Sequence, residues 1–351
     1  MAAAHEPEVI RDKAAMRAWT RRRRAEGKAV ALVPTMGYLH NGHLSLVSAA
    51  AAASAGPVAV VVSIYVNPGQ FAPTEDLTTY PSDLAGDLRK LAAVFCPPDL
   101  YVRAGDGRPD AGSSGGTVSC LEQAGGGYGH ETWIRVEQLE KGLCGSSRPV
   151  FFRGVATVVA KLFNIVDPDI AVLGKKDYQQ WRVICRMVRD LDFAIEIIGS
   201  EIVREADCLA MSSRNVHLSR EEREKDNNLK ALHRTRSARK NGNPCCKCRY
   251  DDFVHSMALS ISRSLVNART AALNGNNHSQ QIQDQIVQTL TEAGDSSIKQ
   301  RNFRNPFDVN ADCELESLVP LERVDRPAVI CVATWFGKVR LIENTEIQAP
   351  P

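Results

Sequence analysis

The chain has 351 residues, 44% of them hydrophobic and 24% charged, and its formal net charge is +2. That length exceeds one comfortable core and predicts two domains. The near-neutral balance excludes the broad basic footprint of a nucleic-acid binder, and no run approaches the ~20 apolar residues of a membrane span.

Residues 11–26 predict a helix that ends in Arg21 to Arg24, read as a solvated basic end favoured by the helix dipole. Ala29 to Pro34 is a short apolar strand, followed by a Gly/His loop and an Ala-rich helix from about His43. Pro57 to Tyr65 is dense in valine and reads as a buried parallel strand. A helix near 81–92 and a brief strand at Ala93 to Phe95 come next. Residues 104–130, rich in Gly and Ser, read as a mobile surface loop. Helix 153–166, strand Ile170 to Leu173, helix 177–190 and strand Ala194 to Ile198 continue the alternation.

Strands alternating with helices imply an α/β fold, a doubly wound, Rossmann-like parallel sheet. Beyond about residue 205 the pattern changes to helices, polar loops and a final strand pair, Ala328 to Thr334 and Lys338 to Ile342, turned at Gly337. The expected division is therefore residues 1–205 and a smaller α+β domain over 206–351. Ten cysteines dispersed along the chain fit reduced thiols. Met1 to Glu8 has no apolar core of the kind a secretory signal needs. A soluble cytoplasmic protein is expected.

Four strings carry chemistry. V-P-T-M-G-Y-L-H-N-G-H-L, Val33 to Leu44, joins a strand to a helix, where a turn delivers ligands to the carboxyl end of the sheet. The helix start offers unpaired N–H groups suited to phosphate, and His40 and His43 place two imidazoles beside it. Two histidines at this spacing also serve as metal ligands or plain surface residues. V-S-I-Y-V-N-P-G-Q-F, Val62 to Phe71, presents the amides of Asn67 and Gln70 in a tight turn, which fits a small hydroxy acid or ordinary turn chemistry. G-K-K-D-Y-Q-Q, Gly174 to Gln180, sets two lysines at a helix start, either an anion site or a solvated helix end. R-E-A-D-C-L-A-M-S-S-R-N, Arg204 to Asn215, supplies hydroxyls and a guanidinium, and its S-S-R alone is no signal.

Together these strings resemble the pantothenate synthetase family, here a plant-like member of the H-x-G-H nucleotidyl-transferring superfamily that includes class I aminoacyl-tRNA synthetases. The resemblance implies an ATP-dependent ligase that condenses (R)-pantoate with β-alanine through a pantoyl-adenylate, releasing AMP and pyrophosphate. It implies catalytic roles for His43, His40 and Lys176, with His43 the main proton or hydrogen-bond donor. ATP contacts would come from Met36, Gly37, His40, Gly42, His43, Gly174, Lys175, Lys176, Asp177, Val203, Met211, Ser212, Ser213 and Arg214. Substrate contacts would come from Gln70, Gln180 and Asn67, and Arg153 is a further candidate. Lys175, where the family often has an acid, is expected to face solvent. The resemblance also implies Mg²⁺ accompanying ATP, and a homodimer. The family's acidic metal contact is only partly matched, by Asp87 beside Gly86, so no protein metal ligand is assigned.

Three departures stand out. The connection near Leu91 to Phe95 is short. Residues 226–257 look like a basic, Cys-rich insertion, expected to be disordered, and its Cys245-Cys246-Lys247-Cys248 cluster lacks a spaced fourth zinc ligand. Residues 298–312 contain Pro306 and no clean alternation, which implies a lost lid strand. Cys208 stands where the family has a flexible glycine. The alternative reading is a catalytically impaired paralogue, or a misassembled variant with a damaged lid.

Overall fold

The computed structural model describes residues 6–101, 118–124, 130–218, 259–294, 307–336 and 339–348. The chain divides into two compact units. The first is Met1–Val203 with Met211–Ser213 and Glu316–Leu318; the second is Arg204–Ala210, Arg214–Leu315 and Val319–Pro351.

The first unit is built on β1 (Glu8–Ile10), β2 (Ala29–Thr35), β3 (Val58–Ile64), β4 (Ala93–Phe95), β5 (Ile170–Gly174) and β6 (Glu196–Ser200). They form one sheet in the order β1-β4-β3-β2-β5-β6, with every pairing parallel. Its helices are α1 (Lys13–Ala25), α2 (Asn41–Ala51), α3 (Leu84–Leu88), α4 (Cys120–Ala124), α5 (Leu143–Ser147), α6 (Phe151–Val166) and α7 (Tyr178–Asp190).

Two apolar layers explain why these runs become strands. Val30, Leu32, Val61, Phe95, Ala171 and Leu173 pack with α1, α6 and α7 on one face. Ala31, Val33, Val62, Val94, Ile170 and Val172 pack with Leu46 and Ala50 of α2 on the other. Successive residues point to opposite faces, and both faces are covered, so the strands read as unbroken apolar runs. The chain leaves β2 toward β3 on one side, and later elements return to β5 on the other. The β2/β5 boundary is thus the switch point, where open α/β sheets form a crevice at their carboxyl edge.

The second unit holds α8 (Leu259–Leu273), α9 (Ser279–Gly294), β7 (Phe307–Glu314), β8 (Ala328–Phe336) and β9 (Val339–Ile347). The strands form an antiparallel sheet in the order β7-β8-β9. Ile261, Leu265, Ile282, Ile286, Leu290, Ile330, Val332 and Leu341 make its core. The architecture is therefore the expected α/β, Rossmann-like doubly wound sheet with a smaller α+β C-terminal part.

Several local expectations are corrected. The strand read as lost over 298–312 exists as β7, starting at Phe307 directly after Pro306. β7 is an edge strand with one neighbour, and its ladder shifts register between Asn310 and Cys313, so a clean period-2 pattern was not required. β9 runs past Ile342 because Glu343 and Asn344 are buried, and Glu343 pairs with Arg204. The loop read over 104–130 contains α4, and the helix read over 81–92 shrinks to the five residues of α3. The basic end of α1 is not merely solvated: Arg22 and Arg23 pair with Glu8, and Arg24 with Asp167 and Asp169. These pairs are mostly exposed and each contributes little. Residues 226–257 and Gly337 lie outside the described residues.

In the second unit Cys208 has φ +73°. The loop Glu205–Leu209 closes through Glu205 N–H to the Leu209 carbonyl, and Arg204 donates to the Cys208 carbonyl at 2.9 Å. An L-residue held left-handed costs roughly 1–2 kcal/mol, a cost that glycine lacks. Cys208→Gly is expected to raise the melting temperature by about 2–8 °C, read by calorimetry. A lower melting temperature would show that the cysteine side chain contributes more than the backbone strain removes.

Candidate active site

The loop after β2 is held by side chains from its neighbours. Gly37 (φ +88°) and Tyr38 (φ +53°) both take left-handed backbone angles. A Cβ on Gly37 would sit 3.1 Å from Ile64 and 3.2 Å from Asp87, so glycine is required on both counts. Tyr38 N–H and Leu39 N–H each donate to a different oxygen of Asp87 at 2.7 Å, and that carboxylate is 1% exposed. Lys90 Nζ donates to the Leu39 carbonyl at 2.7 Å. Ser213 Oγ donates to the Tyr38 carbonyl at 3.3 Å.

The loop ends on a reciprocal cap at the start of α2. His40 is the N-cap, and its Nδ1 accepts from Gly42 N–H at 3.1 Å. His43 Nδ1 accepts from His40 N–H at 3.4 Å. The two rings lie 4.1 Å apart between centroids. A Cβ on Gly42 would come within 2.9 Å of the His40 ring, which explains the glycine between the histidines. Because each Nδ1 accepts a backbone N–H, a neutral imidazole at either position carries its proton on Nε2.

Burial, reinforced by His40, pushes His43 down to about 3. His43 is therefore neutral through the physiological range, a form able to donate a hydrogen bond but not suited to give up a proton. Two consequences follow from the sign. The unfolded chain takes up a proton near pH 6.5 that the folded site refuses down to about 3, so His43's contribution to stability is complete above 6.5 and is lost as pH falls through that window. Activity between pH 6 and 8 should show no inflection from His43. An inflection near neutral that vanishes in His43→Ala would contradict the assignment.

The turn after β3 is similarly tied. Asn67 is 1% exposed; its amide N–H groups donate to Gln70 Oε1 at 3.0 Å and the Gly154 carbonyl at 3.1 Å. Its oxygen accepts from Tyr101 Oη at 2.7 Å and Gly69 N–H at 3.3 Å. Asn67 is thereby used within the protein, and it orients Gln70. Gln70 Nε2 in turn reaches Met36 Sδ at 3.3 Å, linking this turn to the histidine loop.

From the end of β5, through the 3-10 turn Lys175–Asp177, to the start of α7, Gly174, Lys176, Asp177 and Gln180 are all half-buried at the sheet's carboxyl edge. Lys176 and Asp177 act electrostatically on His43, lowering and raising its proton affinity respectively. Lys175 does not face solvent as expected. It pairs with Glu201 at 2.6 Å, lies 5.4 Å from the Trp181 ring centre, and its side chain is 18% exposed. The adjacent glutamines separate cleanly. Gln179 donates to the Leu139, Lys141 and Gly142 carbonyls and accepts from Cys144 N–H, whereas Gln180 makes no side-chain hydrogen bond among the described residues.

Met211 N–H donates to the Val203 carbonyl at 2.9 Å, and the Met211 side chain lies 3.5 Å from where a Gly42 Cβ would be. Met211, Ser212 and Ser213 thus join the first unit, while Arg214 belongs to the second. Arg153 pairs with Glu122 at 2.7 Å over the Trp133 ring. Sequence reasoning missed Lys90, Tyr101 and Gln179, and saw Asp87 only as a metal candidate. Three of these bond mainly to backbone groups, which leave no signature in the residue string; Tyr101 bonds to a side chain far away in the sequence.

No group of three or more His, Cys, Asp or Glu side chains able to hold a metal occurs among the described residues. Asp87 does not fit a divalent ion: each oxygen already accepts a backbone N–H, Lys90 Nζ lies 3.7 Å away, and the carboxylate is sealed from solvent.

A family model described as pantoate–beta-alanine ligase matches residues 8–346. A pantoate–beta-alanine ligase of Oryza sativa subsp. japonica is 68% identical over 354 residues, covering 99% of each chain. One from Arabidopsis thaliana is 52% identical, covering 97% of this chain and 98% of its own. A crystal structure of pantothenate synthetase from Thermus thermophilus matches with a TM-score of 0.70 at 32% identity, covering 98% of this chain and all of that one.

Proposed function

This chain belongs to the pantoate–beta-alanine ligase family, and from that premise we propose how its residues join pantoate to β-alanine. The chain is an ATP-dependent ligase. A carboxylate is a poor electrophile, so the pantoate carboxylate oxygen first attacks the α-phosphorus of ATP and pyrophosphate leaves. The amine of β-alanine then attacks the acyl carbon of the pantoyl-adenylate, forms the amide of pantothenate, loses its proton and expels AMP.

One observation carries the division of labour: Gln70 touches Met36 at 3.3 Å, so a molecule held by Gln70 lies beside the loop that presents His40 and His43. Gln70 and Gln180 hold pantoate, and Asn67 serves that site by fixing Gln70. The Nε2–H donors of His43 and His40 and the ammonium of Lys176 follow the charge that develops on the phosphates. Preorganised donors of this kind stabilise the transition state without reorganisation. Met36, Gly37, Gly42, Gly174, Lys175, Asp177, Val203, Met211, Ser212, Ser213 and Arg214 complete the ATP contacts, Lys175 through its backbone. Residues 1–205 form the ATP- and pantoate-binding domain and 206–351 the lid. Mg²⁺ arrives with ATP and screens its phosphates, and no side chain of this protein is assigned to it.

No helix among the described residues is long and apolar enough to cross a membrane. A cytoplasmic homodimer with no nucleic-acid partner belongs to the same proposal. The 68% identity to a rice pantoate–beta-alanine ligase over 99% of both chains supports the catalytic reading, and nothing in the comparisons favours an impaired paralogue.

Nucleotide analysis of the complete reaction tests the chemistry. With ATP, pantoate and β-alanine, pantothenate and AMP should form in equal amounts. Formation of ADP instead would mean an acyl-phosphate route and would remove the adenylate from the account.

A further inference from the structure

We propose that Asp87 is a positioning residue for adenylate formation, one that sets the aim of His40 and His43 through the backbone of Tyr38 and Leu39. The inference rests on the proposed roles of those histidines and adds a residue that stands outside the phosphate contacts.

The loop between β2 and α2 has little regular structure of its own, and two of its residues hold left-handed angles. Such a segment keeps one shape only if its surroundings over-determine it. Asp87 takes the N–H groups of two consecutive residues, one per oxygen, both at 2.7 Å. Charge-assisted bonds of this kind are the strong ones, and loss of the acceptor would orphan two backbone donors away from water. Lys90, one turn further on, holds the Leu39 carbonyl at 2.7 Å. Both backbone groups of Leu39 are therefore gripped from the same short stretch of chain.

The next residue is His40, whose N–H supports His43 Nδ1 and whose own Nδ1 caps Gly42. A displaced Leu39 moves the His40 N–H, and the reciprocal cap that fixes both ring orientations opens. The stretch carrying Asp87 is itself fixed: Asp83 caps it by accepting from Gly86 N–H at 2.9 Å, and a Cβ at Gly86 would collide with that carboxylate at 2.0 Å. Gly86 thus suits the cap, and the acid beside it is spent on backbone donors rather than turned toward a cation.

Asp87→Asn tests this in the full chain. The amide keeps the shape and one acceptor but sets an N–H₂ group against a backbone N–H. Pantoate-dependent pyrophosphate release should fall about 10- to 100-fold in turnover, since a misplacement near 1 Å costs up to about 10². The KM for ATP and pantoate should change by less than about threefold, and half-saturating Mg²⁺ should stay where it is in the wild type, because uniform binding is untouched. Histidine-nitrogen NMR should show His40 and His43 with bare Nδ1 and protonated Nε2 in the wild type, and mixed tautomers in the variant. A raised Mg²⁺ requirement with activity restored by excess Mg²⁺ would make Asp87 a metal ligand and overturn the proposal. So would unchanged turnover or unchanged histidine signals.

Should Asp87→Asn fail to fold, Lys90→Ala, which releases only the Leu39 carbonyl, carries the test. A smaller turnover loss with shifted histidine signals supports the clamp, and wild-type turnover with wild-type signals overturns it. If the wild type itself releases no pyrophosphate with pantoate, the functional reading fails, while the histidine signals still report on Asp87's hold.

Discussion

His43→Ala is expected to lower the turnover of adenylate formation by roughly 10²–10³, the usual cost of losing one preorganised transition-state donor. The loss should fall on turnover rather than on the KM for ATP, because the Nε2–H gains most where charge develops. His43 is neutral, held near 3 by burial, so no choice of pH between 6 and 8 should rescue or deepen the defect. His40→Ala should also slow turnover, and by two routes. It removes the second donor and it removes the cap on Gly42 N–H. Stopped-flow measurement of pyrophosphate release checks both variants, and wild-type turnover in the two together would dismiss the phosphate role of this loop.

Gly154→Ala should strongly disturb the Asn67–Gln70 turn of the first unit. Gly154 lies in the first turn of α6, and a Cβ there would sit 2.2 Å from the Gly69 carbonyl oxygen and 2.6 Å from the Gln70 Cα. Every colliding atom is backbone, so no side chain can swing away. Either α6 retreats from the sheet it covers or the Asn67–Gln70 turn is pushed outward. Overpacking costs typically 1–3 kcal/mol and more where relief is blocked. A loss of about 3 kcal/mol should lower the melting temperature by roughly 6–12 °C. The surviving folded protein should bind pantoate poorly, because Gln70 is displaced and Asn67 loses the Gly154 carbonyl as partner. A variant that melts within a degree or two of the wild type would show that the turn yields without strain.

These two positions differ in how legible they were. The histidine pair, its spacing glycine and its place between a strand and a helix are visible in the residue string, because strands buried on both faces declare themselves as apolar runs. Gly154 is in the same string, but its helix reads as core, and nothing local says that another backbone crosses it. Asp87 poses the same difficulty more sharply: its partners are the N–H groups of residues 38 and 39, which every non-proline residue carries. Gln179 and Gln180 are chemically identical neighbours, and only the packing of residues 139–144 against α7 separates the structural one from the available one.

The fold's larger outlines followed from alternation, while the shortest elements did not. β1 has three residues and begins with the exposed Glu8, whose carboxylate accepts from Trp19 of α1. β7 escaped because an edge strand tolerates a neighbouring proline and a register shift that a central strand would not. Lys175 was expected in solvent because the family this chain resembles often has an acid there. Its place against Trp181 of α7 is local, but its ion pair with Glu201, just past the end of β6, comes from a later strand. Cys208 shows the converse: a sequence departure from glycine translates directly into a left-handed cysteine.

The central claim is that activation of pantoate precedes and does not require the amine. Pyrophosphate release measured with ATP, Mg²⁺ and pantoate, in the absence of β-alanine, tests it most directly. The account predicts a burst of about one pyrophosphate per active site, the stoichiometry of a bound adenylate awaiting its nucleophile, with turnover resuming when β-alanine is added. Release that requires β-alanine from the start, or release with an amino acid and tRNA but none with pantoate, would contradict it.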